Sequence, residues 1–288
     1  MKGKIVREES CFPERLKESV CNCKHIYYSG NRELLGMKCI AVVGSRTCTD
    51  YGKTVARAIG KRVSECGGVV VSGLANGIDQ AAHTGALEGG GRTIAVLGNG
   101  LDVYYPASNR ALQKRIEKEG LLISEYEEGF KPRRYTFPAR NRIICGVSEA
   151  VVVVEAKDNS GALITAELAA EQGKKLYAVP GNITSYYSFG TNKLIRENVT
   201  PLIFIDDLLV DMGIPLPLSD PQLKGLGDDE MRIYEVISRK GELSIEDIQL
   251  ATNMRPQEIS GIITILEMKG LIFSSMGRFF AGNFKEKR

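Results

Sequence analysis

The most constraining feature of the sequence is a series of short, continuous apolar runs, rich in β-branched residues, between residues 38 and 210. The runs end at glycine or small polar residues, and an amphipathic stretch follows. Because apolar and polar residues do not alternate within the runs, they predict strands buried on both faces, as in a parallel sheet. The runs are residues 40–43, 69–71, 93–97, 121–123, 151–154, 176–179 and 202–205.

The stretches between these runs are mostly long enough for crossover helices. Val55, Ile59 and Val63 form one stripe at helical spacing, and small residues between Ala162 and Ala170 form another. Strands that alternate with helices predict a doubly wound α/β domain over residues 38–211. Glycine makes up 31 of 288 residues. Because this share exceeds the usual level of about 7%, we expect many tight turns or close backbone approaches to a ligand.

Three further segments flank this domain. Residues 1–37 form a short lead-in that is too small to fold alone, and residues 212–227, with their glycines and prolines, indicate a linker. Residues 228–288 contain three helical patterns and then a small hairpin. The second helical pattern opens at Ser244 with a capping-box-like start. This order predicts a winged-helix-like domain.

Charge bears on what the C-terminal domain binds. Residues 220–288 hold ten Lys and Arg against eleven Asp and Glu, a net charge of −1. A domain that binds duplex DNA concentrates positive charge on one face, so we favour a protein-interaction or regulatory role here. The net charge of the whole chain, +3, is too small to indicate a nucleic-acid partner by itself.

The sequence indicates a cytoplasmic protein. It has no run of about 18 apolar residues, so we expect no membrane association, and its start does not resemble a signal peptide. The seven irregularly spaced cysteines therefore predict free thiols. A zinc site at Cys21, Cys23 and His25, with Cys11 nearby, is the weaker alternative, because no second ligand pair completes it. We expect neither a metal nor a cofactor.

Two junctions between strands and helices have the composition of anion sites. Ligands of doubly wound sheets bind at the carboxyl ends of the strands, where Gly44, Ser45 and Arg46 follow the first run. Glycine allows a tight turn, the amides that open the next helix favour an anion, and arginine can bind phosphate bidentately. Ser160 and Gly161 open another helix in the same way. Neither a dinucleotide nor a nucleoside-triphosphate motif is present.

Residues 131–142 contain five cations, no acid and two aromatic rings. Cations neutralise phosphates and an interleaved ring can stack on an unpaired base, which is the chemistry of single-strand binding. The alternative is a solvated loop whose Phe137 fills the core. The residues of this stretch that we assign to binding are Lys131, Phe137, Arg140, Asn141 and Arg142.

One further pair, Asp79 and His83, has helical spacing. It could act as an acid–base pair or as metal ligands, but a local hydrogen bond that orients the ring is the favoured interpretation. A nucleophile with a base and an orienting third group is not evident, so the sequence predicts no enzyme.

The chain resembles the DNA-processing protein A (DprA/Smf) family from Phe12 to about Asp207. The motifs that carry the resemblance are Val43-Gly44-Ser45-Arg46, Ser72-Gly73-Leu74-Ala75-Asn76-Gly77-Ile78-Asp79, Ala95-Val96-Leu97-Gly98-Asn99-Gly100-Leu101-Asp102, Phe137-Pro138-Ala139-Arg140-Asn141-Arg142-Ile143-Ile144, Ser160-Gly161-Ala162-Leu163-Ile164-Thr165 and Val179-Pro180-Gly181-Asn182.

The resemblance implies a non-enzymatic protein with an extended Rossmann-like domain that binds single-stranded DNA. It further implies protection of incoming strands in transformation, loading of the RecA recombinase and a homodimer. By position, Gly44, Ser45 and Arg46 would line a phosphate pocket beside Ser160 and Gly161. The same comparison implies that Phe137, Arg140 and Arg142 contact the strand and that Lys193 adds a cation.

Two alternatives come from other classes of protein. One is a nucleotide phosphoribohydrolase of the lonely-guy type, which uses a P-G-G-x-G-T-x-x-E loop. Here Leu168 stands three places after Thr165, and Glu167 is one place out of register. The other is a nucleotide-sensing regulator that acts through the winged helix, which would leave residues 131–142 unexplained.

Overall fold

The computed structural model describes residues 2–18, 22–158, 160–216, 225–275 and 277–281. The chain forms two compact units, Met1–Leu216 and Pro217–Arg288. Within the described ranges, no helix has both the length and the apolar character needed to cross a membrane.

A nine-stranded sheet forms the centre of the first unit. Its strands are β1 (Lys2–Val6), β2 (His25–Gly30), β3 (Cys39–Val43), β4 (Val69–Ser72), β5 (Thr93–Leu97), β6 (Leu121–Ser124), β7 (Ala150–Val153), β8 (Lys175–Ala178) and β9 (Thr200–Pro201). They lie in the order β1-β2-β6-β5-β4-β3-β7-β8-β9. All neighbours from β6 to β9 are parallel, whereas β1 and β2 are antiparallel at one edge. The predicted α/β fold with a mostly parallel sheet is confirmed.

Helices cover both faces of this sheet. They are α1 (Glu14–Glu18), α2 (Asp50–Glu65), α3 (Ile78–Glu88), α4 (Arg110–Glu119), α5 (Thr136–Val147), α6 (Gly161–Glu171), α7 (Phe189–Arg196) and α8 (Ile205–Asp211). Ala41 of β3 belongs to the buried cluster that contains Ile143 of α5, and its neighbour Ile40 to the cluster that contains Ile59 of α2. Adjacent strand residues are thus buried on opposite faces, which is why the runs are continuous.

The prediction of a strand over residues 202–205 is wrong. The last strand is Thr200–Pro201, and only one further hydrogen bond, from Leu202 N to Ala178 O, extends the pairing. Ile203 and Phe204 are exposed, and α8 already begins at Ile205. Because β9 is an edge strand, pairing on one side only leaves this run free to turn into a helix.

The lead-in, residues 1–37, supplies β1 and β2 to the sheet. Phe12 and Leu16 are buried in the same core as the central strands. Arg15 ties the segment to the rest of the unit, because its guanidinium donates a hydrogen bond to Val147 O and forms an ion pair with Glu149. These contacts explain how a segment too short to fold alone becomes ordered.

The second unit contains α9 (Asp228–Lys240), α10 (Ile245–Thr252) and α11 (Pro256–Met268), followed by the hairpin of β10 (Ile272–Ser275) and β11 (Arg278–Ala281). The predicted cap at Ser244 is present, since its side chain accepts a hydrogen bond from Asp247 N. The order of elements is that of a winged helix, and the winged-helix assignment stays a prediction. Half of the predicted linker, residues 217–224, lies outside the described residues.

Candidate nucleic-acid interface

The carboxyl ends of β3 and β4 open on a cavity of about 370 Å³, into which α5 and α6 also project. Most of the residues predicted from sequence line it together. These are Gly44, Ser45, Arg46, Phe137, Arg140, Asn141, Ser160 and Gly161. They come from three separate segments of the chain, which the sheet topology brings to one edge.

The loop from Gly44 to Arg46 is fixed by its backbone. A Cβ on Gly44 would come within 2.6 Å of the Ile78 side chain, so only glycine fits this turn. Ser45 N donates to Glu155 O at 2.8 Å, and the Ser45 hydroxyl donates to Thr47 O at 2.5 Å. Arg46 is the exposed residue of this loop, so its guanidinium can reach a ligand.

The start of α2 differs from the sequence expectation of free amides that receive an anion. The buried carboxylate of Glu155 accepts from Thr49 N at 2.9 Å and from the Thr49 hydroxyl at 2.5 Å. The Thr49 hydroxyl in turn accepts from Gly52 N at 3.1 Å. The protein's own carboxylate therefore takes the position that an anion would occupy.

The start of α6, by contrast, opens on the cavity. Ser160 is its N-terminal cap residue, and Gly161 and Ala162 line the cavity beside it. Among the described residues, the Ser160 hydroxyl oxygen is one of the few buried polar atoms with no hydrogen-bond partner. The partial positive charge of a helix N-terminus and this hydroxyl together favour an anion at this wall.

Arg140 braces the floor of the cavity. It is only 4% exposed, and its Nη1 donates to Gly73 O at 2.7 Å and to Val96 O. The nearby Asp79 carboxylate accepts hydrogen bonds from Gly73 N and Ala75 N. Burial lowers the pKa of Arg140 to about 10, so the side chain remains charged at neutral pH. Its charge contributes to the potential of the cavity, while its hydrogen bonds hold the ends of β4 and β5.

Aromatic rings form a column at the cavity mouth. The Arg46 guanidinium lies over the Phe137 ring at 5.3 Å, and Phe137 stacks on Tyr105 with the centroids 5.3 Å apart. Tyr105 is 43% exposed and was not among the predicted site residues. The only sequence signal for it was its place in an aromatic turn after a strand. An unpaired base can extend such a column.

The three remaining predicted residues lie outside the cavity lining. Lys131 is exposed in the loop before α5, and Lys193 is exposed on α7. Arg142 forms an ion pair with Glu125, so its charge is compensated within the protein. The predicted residues therefore form two groups. Eight line the cavity, and three cations, Lys131, Arg142 and Lys193, lie outside its lining.

Asp79 and His83 do not act on each other. His83 Nδ1 is 2.7 Å from the Thr93 hydroxyl oxygen, which itself donates to Val70 O. The Thr93 oxygen must therefore accept, so the proton of the neutral ring is on Nδ1. Complete burial lowers the pKa of His83 to about 3. Thr93, and not Asp79, orients the ring.

The structure bears on the alternative that the chain is a nucleotide phosphoribohydrolase. Glu167, which a phosphoribohydrolase would require one place further on, is exposed on α6 and outside the lining residues of the cavity.

Of the proposed zinc ligands, Cys21 lies outside the described residues, while the buried Cys23 thiol donates to His25 O at 3.3 Å. Within the described part of the chain, no three potential metal ligands come together.

The sequence profile of DNA recombination-mediator protein A matches residues 4–213. The chain belongs to this family. The DNA processing protein DprA of Streptococcus pneumoniae is 45% identical over 204 residues, which cover 70% of this chain and 72% of that protein. A putative DNA processing protein DprA of Mycobacterium tuberculosis is 39% identical over 245 residues, which cover 83% of this chain and 63% of the relative.

Two solved structures of the family have the same fold. The X-ray structure of DNA processing protein A from Streptococcus pneumoniae has a TM-score of 0.70 and 42% identity, and covers 73% of this chain and 74% of its own. DNA processing protein A from Helicobacter pylori has a TM-score of 0.66 and 30% identity, and covers 74% of this chain and 98% of its own. The Helicobacter pylori structure was described for its unique single-stranded DNA binding mode.

Proposed function

We propose that the chain is a non-enzymatic recombination mediator that binds single-stranded DNA across the cavity at the carboxyl ends of β3 and β4. The observation that carries this proposal is the column of Arg46, Phe137 and Tyr105 beside one wall of a cavity whose other wall includes the start of α6. The first wall offers ring faces and a cation, and the second offers amides and a hydroxyl. A nucleic acid has one partner for each, a base and a phosphate.

Three features favour single strands over duplex. A base can join the Phe137 column only when its face is unpaired and unstacked. At about 370 Å³, the cavity falls in the range of sites for small ligands, so it admits one flipped-out nucleotide but not a helix. The cavity walls carry isolated arginine side chains, whereas a domain that binds in a groove of duplex DNA presents an extended basic face.

All the predicted residues except Arg142 have a binding role in this proposal. Arg46 contacts one phosphate from the loop that Gly44 and Ser45 form, and Ser160 and Gly161 contact the next. A base joins the column that Phe137 forms with Tyr105, Arg140 and Asn141 form the floor, and Lys131 and Lys193 add positive potential along the strand. Glu125 compensates the charge of Arg142, so Arg142 adds no net potential. Family membership and the Helicobacter pylori relative support this assignment.

The test is a titration of the full chain with a labelled oligothymidine and with a duplex of equal length, at several salt concentrations. We expect the single strand to bind more tightly and the affinity to fall with salt, because phosphates are neutralised. Arg46→Ala should weaken single-strand binding about tenfold and lower the salt slope by about one. Equal affinity for both DNA forms, unchanged in Arg46→Ala, would refute the proposal.

Arg57→Ala is the matched control for this titration. Arg57 is an exposed arginine on α2 that pairs with Glu88, away from the cavity. Its removal changes the net charge as Arg46→Ala does, so a purely non-specific charge effect would weaken both variants alike.

Family membership also supports the proposals that the chain protects incoming strands, loads RecA and acts as a homodimer. Loading is measured as the delay before RecA begins to hydrolyse ATP on single strands that a separate single-strand-binding protein already coats. We expect the wild-type chain to shorten this lag and Arg46→Ala to lose the effect, because loading requires a grip on the strand. A lag that neither protein changes would contradict the loading role.

A further inference from the structure

A second group of rings and a cation lies on the same rim, beyond the start of α6. Tyr186 and Tyr187 follow β8 in a short 3-10 helix, with their centroids 6.3 Å apart. The Lys157 ammonium group lies 5.4 Å from the Tyr186 centroid and 4.6 Å from that of Tyr187. Tyr186 is 62% exposed, whereas Tyr187 is only partly so. None of the three is among the residues predicted from the sequence to bind DNA.

Backbone hydrogen bonds connect this tyrosine pair to the loop that lines the cavity. Ser45 N donates to Glu155 O, and the next residue, Ala156, donates its N–H to Tyr187 O at 3.0 Å. Ala156 O then accepts from Gly190 N at 2.8 Å. The pair is therefore held in register with the end of β7, which neighbours β3 in the sheet.

The arrangement repeats the chemistry of the Phe137 column. Each has one exposed ring, Tyr105 or Tyr186, with a second ring packed against it and a cation within about 6 Å of a ring centroid. Phe137 lies against Gly98, just after β5, and the tyrosine pair lies beside β7. Since three strand spacings separate β5 from β7, these strand ends are about 14 Å apart. A stacked strand rises about 3.4 Å per nucleotide, so about four nucleotides cover this distance.

We propose that Tyr186 is a second base-stacking site, which takes an unpaired base of the strand after it leaves the cavity past the start of α6. Tyr187 supports the ring, and Lys157 holds the pair while its charge faces the strand's phosphates. This inference rests on the proposed function, because it extends the same strand. Because Tyr186 is 62% exposed, much of its ring is accessible, and every base offers a π-face to stack on it.

The test uses an oligothymidine of about eight nucleotides and an abasic strand of the same length. We expect Tyr186→Ala to weaken oligothymidine binding at least about fivefold, because a stacked base contributes about 1 kcal/mol or more. Tyr186→Trp should restore binding to within about twofold of wild type. The abasic strand should bind wild type and Tyr186→Ala equally, since it has nothing to stack.

Ile183→Ala is the matched control. Ile183 lies in the same segment and is 93% exposed, but it has no ring, so its loss should leave oligothymidine binding unchanged. The chain contains no tryptophan, so fluorescence of Tyr186→Trp reports on this position alone and should be quenched by oligothymidine.

The outcomes separate this proposal from the one on which it rests. If Arg46→Ala weakens oligothymidine binding and Tyr186→Ala does not, the second stacking site is wrong and the cavity proposal stands. If Tyr186→Ala weakens binding of the abasic strand equally, the tyrosine acts on structure and not by stacking, which also overturns it. If wild type fails to prefer single strands, the proposed function itself is wrong.

Discussion

The guanidinium of Arg140 packs directly on Gly73. Its Nη1 donates to Gly73 O at 2.7 Å, and a Cβ on Gly73 would lie within 2.3 Å of its Nη2. The same guanidinium donates to Val96 O, so one side chain joins the ends of β4 and β5 beneath the cavity. The absence of a side chain at Gly73 is what lets a buried cation reach both strands.

Gly73→Ala should therefore displace Arg140 and lower the free energy of unfolding by about 2 kcal/mol or more, because buried charge-assisted hydrogen bonds are lost. Urea denaturation measures this loss. Gly36→Ala is the control, because a Cβ there would meet no atom within 4 Å. Equal stability of the two variants would contradict the bracing role.

Arg140→Met tests the buried charge itself. It leaves the buried Asp79 carboxylate without its neighbouring cation, so we expect a loss of about 3 kcal/mol or more in the free energy of unfolding. Adding Asp79→Asn should recover part of the loss, because the uncompensated charge is then removed. Chemical denaturation of both variants checks this. Additive losses in the double variant would show that the two charges do not interact.

Glu155→Gln should weaken the start of α2. The Glu155 carboxylate accepts from both Thr49 N and the Thr49 hydroxyl, and an amide offers one acceptor in place of two. We expect a loss of about 1–3 kcal/mol in thermal or urea unfolding. Thr49→Ser keeps the hydroxyl and serves as the control, which should unfold nearly as wild type does. A Glu155→Gln protein as stable as wild type would rule out this capping role.

Tyr105→Ala should weaken oligothymidine binding by about fivefold, because Tyr105 supports the ring of Phe137. The effect of removing both rings should be smaller than the sum of the single effects, since the two act as one column. Tyr104→Ala is the control, because this neighbouring ring packs against Arg110 and Lys114 and is outside the cavity lining. Independent, additive losses measured by fluorescence anisotropy would argue against a shared column.

The sheet could be predicted from the sequence because buried parallel strands need continuous apolar runs, and six of the seven runs are strands. The run at residues 202–205 does not form a strand, for a reason that its own sequence does not contain. Pairing depends on a neighbouring strand, and this run lies at the sheet edge, where the chain turns into α8. The strands β1 and β2 were missed because their sequences, KGKIV and HIYYSG, are not continuous apolar runs, since both are only partly buried near the sheet edge.

The lining of the cavity could also be predicted, because parallel strands bring their carboxyl ends to one edge. What each side chain does there could not. Arg140 is one of five cations in its segment, and its burial is set by Gly73, 67 positions earlier. The α2 terminus is blocked by Glu155, 106 positions after Thr49. Such contacts over long sequence separations leave no local pattern to find.

His83 should make the stability of the first unit depend on pH. Its pKa is about 3 in the folded chain against about 6.5 when unfolded, so between these values only the unfolded state binds the proton. The free energy of unfolding therefore falls as pH falls below 6.5, by about 2 kcal/mol at pH 5 relative to pH 8 from this ring.

The measurement is urea unfolding of wild type and His83→Leu at pH 8 and pH 5. Leucine fills a similar volume in the core and cannot take up a proton, and Thr93 keeps its bond to Val70 O. We expect the loss of stability between the two pH values to be smaller in His83→Leu by about 2 kcal/mol. The same pH dependence in both proteins would mean that His83 already binds its proton in the folded chain.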